Sequence, residues 1–208
     1  MYIDLKKIET RVLTIPSNEN KLLHLKSVLG DKLNINIHYG ITLPRPLGCD
    51  LSLIKLWNVI KPPILILEDD CCPTEFFKTE LNVPDDADAV HIGTSSWGVT
   101  DGKSEWSNFT LSKYNDDYYK INGMTSTHGM LFLTERYLKA LLGIGEKYPI
   151  LCNVGGVGID YFTCQEQHKY NVYGVAKPLV YQNDPSTEGM TKYPLEDVYK
   201  SKYGNLQT

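Results

Sequence analysis

The chain has 208 residues, of which 42% are hydrophobic and 22% charged, and this composition suits one α/β domain with an ordinary core. Its formal net charge of −4 gives no general attraction for nucleic acid or an anionic membrane, so DNA is an allowed but disfavoured partner. No apolar run approaches the ~20 residues that span a bilayer, and the charged N-terminal stretch is unlike a secretory signal. We therefore expect a cytoplasmic protein without a membrane span.

Strands and helices alternate in the first part of the chain. The apolar patterns predict strands at residues 11–16, 34–41, 64–67 and 88–93, and helices at 17–30 and 49–60. Asp50 is the expected cap of the second helix, and Pro62 and Pro63 follow its end.

The pattern is lost between residues 94 and 127, where Trp and Tyr residues are spread among Gly, Ser, Asn and Asp. This indicates a long, loop-rich segment with room for a hairpin, and long loops are often functional. Beyond it, we expect a strand at 128–134, helices at 135–148 and 158–170, an extended segment at 172–182 and a short helix near the C-terminus. The alternation predicts an α/β fold with a mixed, mostly parallel sheet flanked by helices, which binds ligands at the carboxyl ends of its strands.

An acidic motif follows one of the buried strands. Glu68, Asp69 and Asp70 come directly after the apolar run at 64–67, in the stretch "ILILEDDCCP". Carboxylates at a strand end suit a hard divalent cation, Mg²⁺ or Mn²⁺, which shares its shell with a substrate diphosphate. The alternative is a solvated turn or a helix N-cap, because Asp also favours those positions.

Two further residues are candidates for proton transfer. Asp160 in "GGVGIDYF" stands where a loop enters a helix, and a carboxylate there could deprotonate an incoming hydroxyl. An ordinary helix cap is the alternative for Asp160. His128 opens a predicted strand, where a histidine is more often a structural, hydrogen-bonded residue.

Other charged and reactive residues give weaker signals. Arg45 and Lys55 are the cations nearest the early loops and could meet phosphate, with a solvated surface as the alternative. The acids at 85–88 precede a strand and are expected to form an exposed turn. The five cysteines lack C-x-x-C spacing, which favours reduced, mostly buried thiols over a zinc site.

Several common enzyme signatures are absent from the sequence. It has no GxxxxGK[ST] phosphate loop, no GxGxxG after a strand, no HExxH and no GxSxG. This disfavours the usual kinase, dehydrogenase, metalloprotease and hydrolase functions.

The ordered set of segments resembles glycosyltransferase family 25, the lipooligosaccharide-type galactosyltransferases. The segments are "LGCDLSLIKLW" (47–57), "ILILEDDCCP" (64–73), "ADAVHIG" (87–93), "STHGMLFLTERYLKALL" (126–142), "GIDYF" (158–162) and "PLVYQNDPST" (178–187). The chain departs from the family at Ser52-Leu53, where the family has a serine followed by a histidine. Compact transferases of this type also occur in large DNA viruses and phages.

The resemblance implies a GT-A fold, a nucleotide-diphosphate sugar donor, expected to be a UDP-sugar, and a Mn²⁺ or Mg²⁺ ion. Glu68 and Asp70 would be the metal ligands, Asp160 the base and His128 a residue beside the donor sugar or acceptor. The residues expected at the nucleotide are Thr14, Ile15, Pro16, Ser17, Arg45, Lys55 and Asp69. Within one domain spanning 1–208, residues 10–93 would bind the donor and residues 94–190 the acceptor.

The sequence thus predicts a metal-dependent glycosyltransferase that acts on a glycan or another hydroxyl acceptor. A viral or phage member would act in the host cytoplasm and could take a modified DNA base as its acceptor. Two alternatives stay open. One is a nucleotidyltransferase of similar fold, and the other is a non-catalytic sugar-binding protein that uses the aromatic residues at 97–119.

Overall fold

The computed structural model describes residues 1–44, 47–94, 109–125, 127–155, 158–183 and 192–203. For residues 149–155 and 201–203 the description covers the backbone only. The predicted phosphate ligand Arg45 and residues 95–108 and 126 of the predicted loop-rich segment lie outside the described residues.

The secondary structure alternates in much the order that the sequence predicts. The strands are β1 (Tyr2–Asp4), β2 (Glu9–Thr14), β3 (Asn34–Tyr39), β4 (Ile64–Glu68), β5 (Cys71–Pro73), β6 (Glu80–Asn82), β7 (Ala89–His91), β8 (Thr110–Lys113), β9 (Tyr118–Asn122), β10 (Gly129–Phe132), β11 (Val172–Val175) and β12 (Val180–Gln182). The helices are α1 (Glu19–Leu29), α2 (Leu47–Trp57), α3 (Glu135–Gly155), α4 (Ile159–Cys164) and α5 (Leu195–Tyr203), with 3₁₀ turns at Pro16–Asn18 and Gln167–Lys169.

The central sheet has eight strands in the order β3-β2-β4-β10-β7-β11-β9-β8. The pairs β2–β3, β2–β4 and β7–β11 are parallel, whereas β10 and β9 run antiparallel to both of their neighbours. All other strands of this sheet therefore point the same way. This confirms the predicted α/β fold class, a mixed, mostly parallel sheet flanked by helices.

Hydrophobic clusters cover both faces of the sheet. Ile64 and Ile66 of β4 belong to the cluster that packs against α2 and α3, and Leu65 and Leu67 belong to the cluster that packs against α1. Successive residues of a strand point to opposite faces, so a continuous Ile/Leu run is what a strand buried on both sides requires. We call these the α2 face and the α1 face.

Some predicted boundaries are wrong. Helix α2 begins at Leu47, so Asp50 lies inside its first turn and does not cap it. The backbone of α3 continues past Pro149 to Gly155. A proline removes one helical hydrogen bond but does not always end a helix. The extended segment at 172–182 is divided into β11 in the central sheet and β12, which pairs with β5.

The interpretation of the acids at 85–88 as an exposed turn is wrong for Asp88. This side chain is buried, and Arg136 compensates for the loss of water by donating hydrogen bonds to both of its carboxylate oxygens. The prediction of reduced thiols is confirmed for the cysteines whose side chains are described: Cys49, Cys71, Cys72 and Cys164 are free, and all but Cys49 are buried. Within the described ranges, no helix is both long and apolar enough to span a membrane.

Candidate active site

The acidic motif lies at the carboxyl end of β4, as predicted. Glu68 is the last residue of the strand, and Asp69 and Asp70 form the turn into β5. Asn183, just after β12, donates its backbone N–H to the carbonyl oxygen of Asp70 over 2.8 Å. The β5–β12 pair therefore fixes the backbone of the turn that carries the acids.

An open cleft with a volume of about 90 Å³, which we call the acidic cleft, lies beside this turn. It is bounded by the ends of β2 and β4, the loop after β3 and the first turns of α2, and its lining residues are Leu13, Thr14, Ile15, Asn18, Ile41, Leu43, Gly48, Cys49, Ser52, Glu68, Asp69 and Asp70. The structure thus brings the predicted nucleotide residues Thr14, Ile15 and Asp69 together with the predicted metal ligands Glu68 and Asp70.

Ser52 fixes one wall of the acidic cleft. Its hydroxyl donates to the Gly48 carbonyl over 2.5 Å and accepts the N–H of Ile41 over 2.7 Å. A Cβ at Gly40 would overlap the Ser52 hydroxyl, so the loop after β3 can approach α2 this closely only with glycine at that position.

Asp69 joins the ends of β2 and β4. Its Oδ2 accepts a hydrogen bond of 2.6 Å from the Thr14 hydroxyl and another of 2.9 Å from the Asn18 side-chain amide. The Asp69 side chain is buried, so these bonds replace the water that a charged carboxylate would otherwise need. Sequence reasoning missed Asn18, whose only signal is its place directly after the first strand.

Asp70 lies next to a cation that the sequence reasoning also missed. Lys21, in the first turn of α1, places its Nζ 3.4 Å from Asp70 Oδ2. The Asp70 side chain is only 6% exposed, whereas the Lys21 side chain is 36% exposed. Lys21 therefore brings a positive charge to the rim of the acidic cleft.

Glu68 is the acid of the motif whose pKa is raised furthest. Its two oxygens accept hydrogen bonds from the Thr127 hydroxyl over 2.8 Å and from the Gln182 amide over 3.2 Å. Burial, followed by the negative charges of Asp70, Asp160 and Asp69, raises the pKa of Glu68 to about 7, against the opposing effect of the Thr127 bond. A cation at this point would relieve the repulsion.

Asp160 occupies the first turn of α4, on the α2 side of the molecule. Burial raises the pKa of Asp160, and the charge of Asp50 adds to the rise against the hydrogen bond from the Tyr161 N–H. Asp160 in turn contributes to the raised pKa of Glu68, so the two carboxyls lie within electrostatic reach of each other. A raised pKa makes a carboxylate a stronger base for proton transfer.

Asp50 is a second buried acid near Asp160, and sequence reasoning assigned it only a capping role. It accepts hydrogen bonds from the Tyr148 hydroxyl and from the N–H of Ile159. A Cβ on Gly158 would lie 2.7 Å from Asp160 Oδ1 and 3.8 Å from Asp50 Oδ1. Asp50 thus ties α2 to the start of α4 and fixes the position of Asp160.

His128 is close to the acids in the sheet but does not line the acidic cleft. Its carbonyl accepts the N–H of Glu68 over 3.3 Å, while its fully buried ring lies against Gly93. Burial lowers the pKa of His128 to about 4, so the ring is neutral at physiological pH. This placement agrees with the structural role that is the more frequent one for a histidine at a strand start.

The remaining predicted residues lie apart from the acids. Pro16 and Ser17 form an exposed 3₁₀ turn next to the cleft without lining it. Lys55 is exposed on α2, where its charge acts on His38. Of the aromatic residues at 97–119, Tyr118 and Tyr119 are buried and Tyr114 is exposed, and Trp97 and Trp106 lie outside the described residues.

A metal ion at these acids would need further ligands from a substrate. In the described part of the chain, no group of three or more His, Cys, Asp or Glu residues is arranged to hold a metal ion by itself. Mg²⁺ is commonly bound by one or two carboxylates, with water and substrate phosphate completing its shell. Glu68 and Asp70 would be such a pair of oxygen ligands, and the negative charge of Asp70 contributes to the raised pKa of Glu68.

Comparison with known proteins does not place the chain in a family. No family model matches it, and no curated protein does. Among solved structures, CTP:phosphocholine cytidylyltransferase from Streptococcus pneumoniae is similar, at 10% identity and a TM-score of 0.39, over 84% of this chain and 92% of that one. A likeness at this level assigns no activity, so the functional argument rests on the residues of the cleft.

Proposed function

We propose that the protein is a metal-dependent glycosyltransferase that moves a sugar from a nucleotide-diphosphate sugar to an acceptor hydroxyl. The observation that carries the proposal is the acidic cleft itself, in which Glu68, Asp69 and Asp70 line one space with Thr14 and Ile15. The space lies at the carboxyl ends of parallel strands, where α/β sheets bind their ligands.

Each of these side chains has a separate role in the proposed reaction. Glu68 and Asp70 would hold Mg²⁺ or Mn²⁺, which balances the charge of the donor's diphosphate. Asp160 accepts the proton of the acceptor hydroxyl, whose oxygen forms a bond to the anomeric carbon of the sugar. The bond between that carbon and the diphosphate oxygen breaks, and the nucleotide diphosphate leaves. Lys21, 3.4 Å from Asp70, would contact the same phosphate groups.

A panel of nucleotide sugars with Mn²⁺ or Mg²⁺, scored by release of nucleotide diphosphate, tests the reaction. UDP-sugars are expected to be turned over, and Asp70→Ala should abolish the metal-dependent turnover. Asp31→Asn is the matched control, because it removes a carboxylate that is exposed at the end of α1. Calorimetry with UDP, with and without Mn²⁺, gives a second readout that does not require the acceptor.

Three results would count against the proposal. Full activity of Asp70→Ala in the presence of a chelator would refute the role of the acids. Release of pyrophosphate from a nucleoside triphosphate would instead identify a nucleotidyltransferase. Nucleotide binding that does not depend on metal, or no binding at all, would favour the sugar-binding protein.

A further inference from the structure

A second cleft shares no lining residue with the acidic cleft. It has a volume of about 670 Å³ and is a shallow depression, widely open to solvent, between the turn after β1, the end of α1 and the segment that joins β5 to β6. Its lining residues are Lys6, Lys32, Pro73, Thr74, Phe77, Lys78, Thr79 and Glu80. We call it the lysine cleft.

Positive charge predominates in the lysine cleft, although the chain as a whole is acidic. In the described part of the chain, neither Lys6 nor Lys32 has a carboxylate within ion-pair distance, and the pair formed by Lys78 with Asp117 is stretched to 4.0 Å. The nearby Asp4 is already engaged, since it accepts the backbone N–H of Lys6 and pairs with Lys7 over 3.4 Å. Among the described residues, Lys6 and Lys32 thus lack an ion-pair partner, and Glu80 is the one carboxylate that lines the lysine cleft.

The walls of the lysine cleft are held in place. Lys32 is half-buried, with its Nζ 5.7 Å from the centre of the Phe77 ring, a distance at which a cation and an aromatic face attract each other. The Thr74 hydroxyl donates to the Pro178 carbonyl over 2.5 Å, and the Thr74 carbonyl accepts the N–H of Phe77 over 3.2 Å. A ligand would therefore meet one pre-positioned cation, Lys32, and two exposed ones, Lys6 and Lys78.

We propose that the lysine cleft is a binding site for a phosphate-bearing ligand, separate from the candidate active site. Several ammonium groups around one open space attract a multiply charged oxyanion, and lysine acts as a point charge towards phosphate. The space is larger than a bare phosphate, so it also admits the organic group to which the phosphate is attached. This inference does not depend on the proposed transferase activity.

Nuclear magnetic resonance with inorganic pyrophosphate as the probe tests the site directly. EDTA is present throughout, so that no divalent cation recruits the probe to the acidic cleft. Saturable shifts are expected at the backbone amides of Lys6, Lys32, Lys78 and Thr79, and they should weaken as the salt concentration rises. The double variant Lys32→Gln/Lys78→Gln should bind about tenfold or more weakly, because each lost charge removes about 0.7 kcal/mol or more of attraction.

Lys7→Gln is the matched control. It removes one positive charge from the turn that also carries Lys6. The Lys7 side chain pairs with Asp4, however, and does not line the lysine cleft. Its affinity for pyrophosphate should equal that of the wild type. The proposal is wrong if no saturable shift occurs, if the shifts centre on Glu68 to Asp70, or if Lys7→Gln weakens binding as much as Lys32→Gln/Lys78→Gln. Unchanged melting temperatures of these surface variants would confirm that the fold is retained.

Discussion

At the scale of single residues, the hydrogen bond from Thr14 to Asp69 is the contact that most directly links fold and site. Thr14→Val keeps the shape of the side chain but leaves the buried Asp69 without its 2.6 Å donor. The loss of one partner of a buried charged group costs about 1–3 kcal/mol. We therefore expect urea denaturation to show a destabilisation of that size, together with weaker nucleotide binding.

Thr10 supplies the control on the same strand. Its side chain is fully buried, and no hydrogen-bond partner for its hydroxyl occurs among the residues that the structure describes. Thr10→Val removes a polar group without a partner, so stability should stay the same or rise. Equal destabilisation by the two substitutions would show that the Asp69 contact contributes nothing specific.

The sequence could locate the acids but not the groups that hold them. Glu68, Asp69 and Asp70 were found because they follow an apolar run, which is a local pattern. Their donors come from elsewhere in the chain: Thr127 is 59 positions from Glu68, and Gln182 is 114 positions from it. A local pattern of residues cannot predict such long-range contacts. The same applies to Asp50, whose partner Tyr148 is 98 positions away.

At the scale of elements, Asp88 connects three parts of the fold. Its carboxylate accepts the hydroxyl of Thr134 over 2.7 Å, the guanidinium of Arg136 over 3.2 and 2.6 Å, and the N–H of Asn171 over 2.9 Å. Through these bonds the residue before β7 holds the first turn of α3 and the residue before β11. The carboxylate of Asp88 thus holds the three elements together at the amino ends of β7 and β11.

Asp88→Asn should destabilise the protein by about 2–3 kcal/mol at pH 7, because it removes the charge from several hydrogen bonds to a buried group. Burial raises the pKa of Asp88, but the bonds from Asn171, Thr134 and Arg136 outweigh it and hold the pKa below its usual value. The contribution is thus present above the unfolded-state pKa of ~3.9 and is lost as the pH falls through the folded-state pKa. Urea denaturation at pH 7 and pH 3 measures both effects.

Glu135→Gln is the control for Asp88→Asn. Glu135 forms an exposed pair with Lys139 within α3, and such surface pairs contribute little. Its substitution should change stability by less than about 0.5 kcal/mol. A destabilisation by Asp88→Asn that persists unchanged at pH 3 would contradict the electrostatic origin assigned to it.

The elements themselves were largely predictable, because buried strands and amphipathic helices leave a local periodicity. Residues 64–67 identified β4 to within one position. The short strands β1, β5 and β6 were missed, since each has only three residues and exists through its pairing with a distant strand. The burial of Asp88 was missed for the same reason, as its cation Arg136 is 48 positions away.

At the scale of the whole molecule, the sheet buries two neighbouring histidines at its centre. His91 on β7 is 1% exposed, and no hydrogen-bond partner of either ring nitrogen is found in the described ranges. Burial, aided by the charge that His128 would carry, lowers the pKa of His91 to about 3. The His91 ring is therefore neutral in the folded protein, whereas in the unfolded chain it takes a proton near its ordinary pKa of ~6.5.

This difference predicts an acid sensitivity of the entire fold. Between pH 6.5 and pH 3 the unfolded state binds more protons at His91 than the folded state, so stability falls as the pH is lowered through that range. The slope due to His91 approaches about 1.4 kcal/mol per pH unit below its unfolded-state pKa. His91→Phe removes the titration and breaks no hydrogen bond that the structure describes, so its free energy of unfolding should fall less steeply with pH than that of the wild type. Urea denaturation of both proteins at pH 7, 6 and 5 gives the slopes, and parallel slopes would show that the His91 ring is protonated, or exposed to water, in the folded protein.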